Sequence, residues 1–200
     1  MTTATATKPA CIADGLPDVG IYIACLASYN GGILHGAWVD LEQCQDEEDI
    51  QAGIDWVLAL SPEPGVAEEW AMHDSAGLPS YLSRTEWPAL GELVAWIDGL
   101  SSIDGLSSAI DQDEREAYRL ECENQGQTID EEAFRETYCG CYSSGEDYAY
   151  EVAEELGSIP EDAGWPLTCI DWESAWRELT SDGYREEPCS SGGVHIFRSC

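Results

Sequence analysis

Positive charge is what this sequence has least of. Residues 9–83 contain 13 Asp or Glu and no Lys or Arg, and the whole chain of 200 residues sets eight basic side chains against 40 acidic ones, for a net charge of −32. Such a surface repels a phosphate backbone and an anionic lipid headgroup alike, which excludes direct binding to nucleic acid or to a membrane surface. No run of about 18 apolar residues occurs, so no membrane-spanning helix is expected. Gly-rich phosphate loops, a nucleophile elbow and a His-Glu-x-x-His pair are missing too. The three histidines, His35, His73 and His195, stand far apart. His73-Asp74 is a single dipeptide of the kind chance supplies, so neither catalysis nor a cofactor is expected.

Nine cysteines are an odd number. Residues 1–18 are rich in Thr and Ala, without the apolar stretch of a signal peptide, so free thiols in a reducing, cytoplasmic setting are expected. Cys139-Gly140-Cys141 has no second Cys or His pair at zinc-ligand spacing and reads as free thiols, with no metal site.

What the chain does have is material for a core. Its apolar fraction is 44%, with eight Trp and nine Tyr, which sets it apart from a disordered acidic tail. The acids run along its full length. A charge of this size weakens the compact state through self-repulsion, and the partner that would compensate is a basic protein surface.

Residues 1–18, with Pro9, Gly15 and Pro17, read as a disordered leader. Gly20–Ala27 is a short apolar run expected as a buried strand, and Ile33–Asp40 as its hairpin partner across Tyr29-Asn30-Gly31-Gly32. Asp46 suits the N-cap of a helix whose stripe is Ile50, Ile54, Val57 and Leu58, stopped at Ser61-Pro62. Glu69–His73 is expected as a third strand, completing an α+β unit over 19–78. Leu90, Leu93, Val94 and Ile97 recur at helical spacing after Pro88. A weaker pattern follows over Gly99–Ile110, then a polar helix over Asp111–Asn124, giving a helical middle unit over 79–125. Thr128 with Glu131 reads as a capping box. Trp172, Ala175, Trp176 and Leu179 mark a helix capped by Asp171 and stopped at Ser181-Asp182-Gly183, and Gly193–Ser199 a closing strand. These complete a C-terminal α+β unit over 126–200. The expected fold is α+β, with three small units in a row forming an elongated body.

Glu146–Leu156 carries the clearest functional signal. At about 100° per residue, Ala149, Val152, Ala153 and Leu156 share one side of a helix, while Asp147, Glu151, Glu154 and Glu155 share the other with no cation between them. Each like-charge neighbour costs roughly 0.2–0.5 kcal/mol. Four carboxylates over about 12 Å of axis is one per ~3 Å, close to the ~3.4 Å per charge of one DNA strand. At one charge per ~1.7 Å of duplex, the net charge matches about 54 Å of DNA, or roughly 16 base pairs. The acidic surface expected to imitate phosphates comprises Asp40, Glu42, Asp46, Glu47, Glu48, Asp49, Glu68 and Glu69. It continues through Asp111, Asp113, Glu114, Glu116, Glu121, Glu123, Asp130, Glu131 and Glu132. Glu146, Asp147, Glu151, Glu154, Glu155, Asp171 and Glu173 complete it. Two other readings compete: an acidic protein adapted to high salt, and a calcium-binding module, although the EF-hand spacing is absent.

Ile21-Tyr22-Ile23-Ala24-Cys25-Leu26-Ala27-Ser28-Tyr29-Asn30-Gly31-Gly32, with His35-Gly36 and Trp38-Val39-Asp40 behind it, resembles the opening of the ArdA antirestriction family. So do Glu69-Trp70-Ala71-Met72-His73-Asp74, Tyr138-x-Gly140-x-Tyr142-Ser143 with Asp147-Tyr148-Ala149, Ile170-Asp171-Trp172-Glu173, and Val194-His195-Ile196-Phe197. These segments span about residues 20–198 in order; Cys139 and Cys141 depart from the family pattern. The resemblance implies an elongated α+β homodimer that imitates bent B-form DNA. Such a protein fills the DNA-binding groove of Type I restriction–modification enzymes, blocking restriction and often modification, with no cofactor and no chemistry of its own. It also implies a role in self-association for the segment from Tyr148 to Gly157. The contact would lie at Tyr148, Ala149, Val152, Ala153 and Leu156.

Overall fold

A computed structural model describes residues 7–63, 65–104, 112–159, 164–165 and 169–199. Its contacts group into two compact units, the first holding residues 1–101 and 125–128, the second 102–124 and 129–200. Two three-stranded antiparallel sheets and eight α-helices are present among the described residues, an α+β fold.

In the first unit, strand β1 (Gly20–Cys25) is the middle of the sheet order β2-β1-β3. Ile21, Ile23 and Cys25 are fully buried because the strand is paired on both edges and covered on a face, the setting in which a continuous apolar run belongs. A one-turn helix α1 (Leu26–Asn30) follows. The chain therefore returns through a helical turn rather than a tight hairpin, and β2 (Gly36–Asp40) starts later than expected. Its register sets Ile21 opposite Val39 and Ile23 opposite Ala37. A short 3-10 turn (Leu41–Gln43) leads to α2 (Glu47–Ala59), capped as expected by Asp46, whose Oδ1 accepts from the amides of Glu48 and Asp49. Ile50, Ile54 and Val57 of α2 are buried. Full burial of such side chains contributes about 1.5–3 kcal/mol each.

Strand β3 (Trp70–Ala76) pairs with β1 through a register shift between Tyr22 and Ile23. Helix α3 (Ser80–Ser83) and helix α4 (Leu90–Asp104) follow, with Leu93, Trp96, Ile97 and Leu100 buried. The expectation of a second helical stretch over Gly99–Ile110 falls partly outside the described residues; α4 runs continuously to Asp104.

The expected leader is ordered where it is described. Ile12 bridges Val39, the Asp40 amide donates to Cys11 O at 2.7 Å, and Cys11 and Ile12 are 3% and 5% exposed. Two apolar side chains among the prolines and glycines are enough to fasten the segment beside β2.

The second unit takes the end of α4 from Ser102, then α5 (Gln112–Gln125, all but its last residue) and α6 (Glu131–Thr137). Asp130, not Thr128, caps α6: its Oδ1 accepts from the Ala133 amide at 2.8 Å. Thr128 instead shares a 2.8 Å hydrogen bond with the Tyr81 hydroxyl. Strand β4 (Tyr138–Tyr142) leads into α7 (Gly145–Glu155), capped by Ser144. Helix α8 (Trp172–Ser181), capped by Asp171, precedes the hairpin of β5 (Tyr184–Pro188) and β6 (Val194–Arg198). The sheet order is β4-β6-β5, so β6 is central, and His195, Ile196 and Phe197 are fully buried. Its core joins Tyr148, Ala149, Trp176 and Ile196, with Tyr142, Val152, Trp172 and Tyr184 packed around them. Strands β4 and β5 were not anticipated from sequence: Tyr138–Tyr142 is broken by Gly140, and β5 reads Tyr-Arg-Glu-Glu-Pro, with little apolar alternation.

Candidate partner-binding surface

Helix α7 presents its two faces largely as its spacing predicts. Asp147, Glu151, Glu154 and Glu155 are exposed, and no basic residue lies in its last turn. Tyr142 and Tyr150 hold two of these carboxylates in place. The Tyr142 hydroxyl donates to Glu151 Oε1 at 3.2 Å, and the Tyr150 hydroxyl to Glu154 Oε1 at 2.6 Å. Burial and the neighbouring Glu151 push the Tyr142 phenol up to about 12, and the bond to Glu154 raises that of Tyr150. Both phenols therefore remain protonated donors at neutral pH. Asp147, Glu151 and Glu154 join Tyr142, Tyr150 and Cys141 in lining an open groove of about 750 Å³ floored by Gly192 and Gly193.

The apolar face of α7 differs from expectation in its outer half. Tyr148 and Ala149 are 8% and 4% exposed and belong to the core of the second unit, so they are spent within the chain. Val152 packs on the same core and Ala153 is half-buried, while Leu156 is 76% exposed. Tyr148 was too large to be left at the helix edge: it meets Trp176 edge-on at 6.2 Å and Tyr142 at 5.0 Å.

The other expected acids fall into distinct groups. Glu42, Asp46, Glu47, Glu48, Glu68, Glu69, Glu123, Asp130, Glu132, Asp171 and Glu173 are exposed. Asp40, Asp49, Asp113, Glu114, Glu116, Glu131 and Glu146 are half-buried. Asp111 lies outside the described residues. Glu121 is a correction. It is 2% exposed and ion-paired with Arg185, whose guanidinium also lies 4.1 Å over the Phe197 ring. A polar helix with acids on every side gave no sequence signal for which one faces inward.

Several surface acids also have a structural task. Asp40, Asp46, Asp130 and Asp171 each accept backbone N–H groups at a helix start. The Ser174 amide and hydroxyl hold the Asp171 carboxyl below its usual range. Arg135 forms a two-pronged pair with Glu114 at 3.0 and 3.1 Å, and Arg177 pairs with Glu173 at 3.0 Å. Arg135, Arg177 and Arg185 are thus turned onto acids of their own unit. The first unit holds 16 acidic and two basic residues and the second 24 and six, so each presents an acidic excess to a partner.

The profile of the antirestriction protein (ArdA) family matches residues 21–188. The chain belongs to the ArdA antirestriction family. Membership implies an antirestriction function and interaction with restriction–modification enzymes. No curated protein matches the chain. No helix among the described residues is long and apolar enough to cross a membrane.

Proposed function

We propose that this ArdA-family protein is a DNA mimic that fills the DNA-binding groove of a Type I restriction–modification enzyme and thereby blocks cleavage of DNA. The observation that carries the reading is the outer face of α7. Asp147, Glu151, Glu154 and Glu155 stand exposed along about 12 Å of helix axis, at close to the charge spacing of a nucleic-acid strand. Tyr142 and Tyr150 fix two of the four, which lowers the ordering cost when a basic groove closes over them. Release of the ions condensed on the enzyme's basic groove and on this surface would favour association and make it steeply dependent on salt. The inhibitor acts by occupancy and needs no chemical step.

A homodimer belongs to the same reading, since two copies double the length of the acidic track. If α7 forms the contact, Leu156 and Tyr150 are its available apolar side chains, because Tyr148 and Ala149 are committed to the core.

The test is cleavage of unmodified DNA by a Type I enzyme in the presence of the purified protein, with labelled DNA as competitor. Inhibition that is relieved by excess DNA and falls steeply with added salt supports the reading. Inhibition indifferent to both would overturn it.

A further inference from the structure

Strand pairing gathers side chains that their sequence positions keep apart. Cys141 of β4 and His195 of β6 are directly opposite in register. Cys189 follows β5, and the turn that rejoins β6 closes with its amide donating to Gly193 O at 3.1 Å. The two Sγ atoms and the imidazole nitrogen of this trio lie within 4.8 Å of one another. Cys189 is also within that distance of carboxylate oxygens of Asp113 and Glu116 on α5.

His195 is the informative member. Its ring is fully buried, Nδ1 lies 3.2 Å from the Tyr138 hydroxyl, and Nε2 makes no hydrogen bond. Nε2 stands instead 3.5 Å from Glu116 Oε2, and a ring nitrogen lies within 4.8 Å of the two thiols. A buried imidazole nitrogen in this state has lost its water and gained only a long contact with one carboxylate oxygen. In the tautomer that donates Nδ1–H to the Tyr138 hydroxyl, the lone pair on Nε2 is free for a ligand, and an outer-shell hydrogen bond of this kind orients a metal-binding histidine.

We propose that Cys141, Cys189 and His195 bind a zinc ion, with the Glu116 carboxylate as the nearest group for the fourth position. Two thiolates and one imidazole suit a borderline cation in a tetrahedral site, whereas calcium and magnesium take oxygen ligands. The dication would relieve the repulsion among Glu116, Asp113 and the two thiolates in an already acidic unit. Binding displaces the thiol protons to solvent, including the one Cys189 directs at Asp113 Oδ1 over 3.4 Å. The site would fasten the β5–β6 turn to β4 and to the start of α5. Cys139, two residues before Cys141, packs instead against the Tyr148 cluster and takes no part. This inference is independent of DNA mimicry.

The experiment is a Co²⁺ titration of the reduced, metal-free full chain, read by visible absorption. One equivalent should bind with a thiolate-to-cobalt charge-transfer band and the intense ligand-field bands of a tetrahedral site, and Zn²⁺ should displace it. C189S and H195Q should each lose those bands, whereas C139S and C44S should keep them. Y138F should retain the spectrum with metal affinity lowered about 10–100-fold. Circular dichroism of the metal-free variants separates lost ligation from lost folding. Should C189S or H195Q not fold, C141S carries the test, because Cys141 is exposed. A folded wild-type chain with no charge-transfer band, bands unchanged in C141S, or displacement of cobalt by Ca²⁺ as readily as by Zn²⁺ would each overturn the proposal.

Discussion

Gly145, in the first turn of α7, lies flat against the indole of Trp176 on α8, and a Cβ there would overlap the ring. This contact lets the two helices approach closely enough for Tyr148 and Ala149 to share a core with Trp176. Gly145→Ala should therefore destabilise the protein by about 1–3 kcal/mol, as expected for overpacking against a rigid buried ring. Urea unfolding measures this, and an unchanged midpoint would show that the helices can separate without cost.

Neutralising the outer face of α7 should move stability and inhibition in opposite directions. The variant carrying Asp147→Asn, Glu151→Gln, Glu154→Gln and Glu155→Gln removes like-charge neighbours that cost roughly 0.2–0.5 kcal/mol per pair. Thermal unfolding should be unchanged or shifted upward, while inhibition of the restriction enzyme weakens and its salt dependence becomes shallower. Equal inhibition by the two proteins would remove α7 from the mimic.

Asp171 accepts both the amide and the hydroxyl of Ser174, at 3.0 and 2.8 Å. Asp171→Ala should cost about 1 kcal/mol, the usual loss for an N-cap, and Asp171→Asn appreciably less. The comparison in urea unfolding distinguishes capping from a general effect of charge, since on charge alone both variants would be stabilising.

At high pH buried thiols and tyrosines both weaken the fold, because burial raises Cys11, Cys44 and Cys122 as well. Burial and the Glu151 carboxylate raise Tyr142 to about 12, and burial with Cys139 and Tyr184 nearby raises Tyr148 further. An unfolded phenol ionises near pH 10. Above that pH the unfolded state releases protons that the folded state retains, so the contribution of these phenols to stability is full below pH 10 and falls as pH rises toward 12. Tyr142→Phe should remove part of this decline, measured as the difference in unfolding free energy between neutral and alkaline solution.

Arg185 compensates the buried Glu121. Arg185→Met should cost about 3 kcal/mol or more by leaving a buried carboxylate without its counter-charge, and pairing it with Glu121→Gln should recover much of that loss. A double-mutant cycle in urea checks the recovery; strictly additive losses would assign the effect of Arg185 to packing on Phe197.

Where periodicity was strong, the chain announced its structure. The run Gly20–Cys25 and the stripe of Ile50, Ile54 and Val57 are in place because many residues agree on one buried face. Asp46 and Asp171 were legible as caps because a short acid preceding an apolar stripe has few other uses. The misses share a cause. Strand β5 is defined by pairing with β6 rather than by its own side chains, and Tyr148 is drawn inward by α8, an element more than 20 residues further on. The exposure of Asp147, Glu151, Glu154 and Glu155 on one side of α7 follows from their spacing alone. The inward turn of Glu121 was invisible because its reason, Arg185, is 64 positions away.

The N-capping aspartates divide the carboxylates of this chain into two kinds with different evolutionary freedom. Asp46, Asp130 and Asp171 must keep a short side chain at one backbone position, because the geometry of an N-cap has no slack. Asp147 and Glu155, on the outer face of α7, answer only for a density of charge. Such positions can exchange Asp for Glu, or move by a turn, with little penalty. Related sequences are therefore expected to drift over their acidic faces while holding their helix starts fixed. An antirestriction protein built this way can retune its surface to a new enzyme without reopening the question of how it folds.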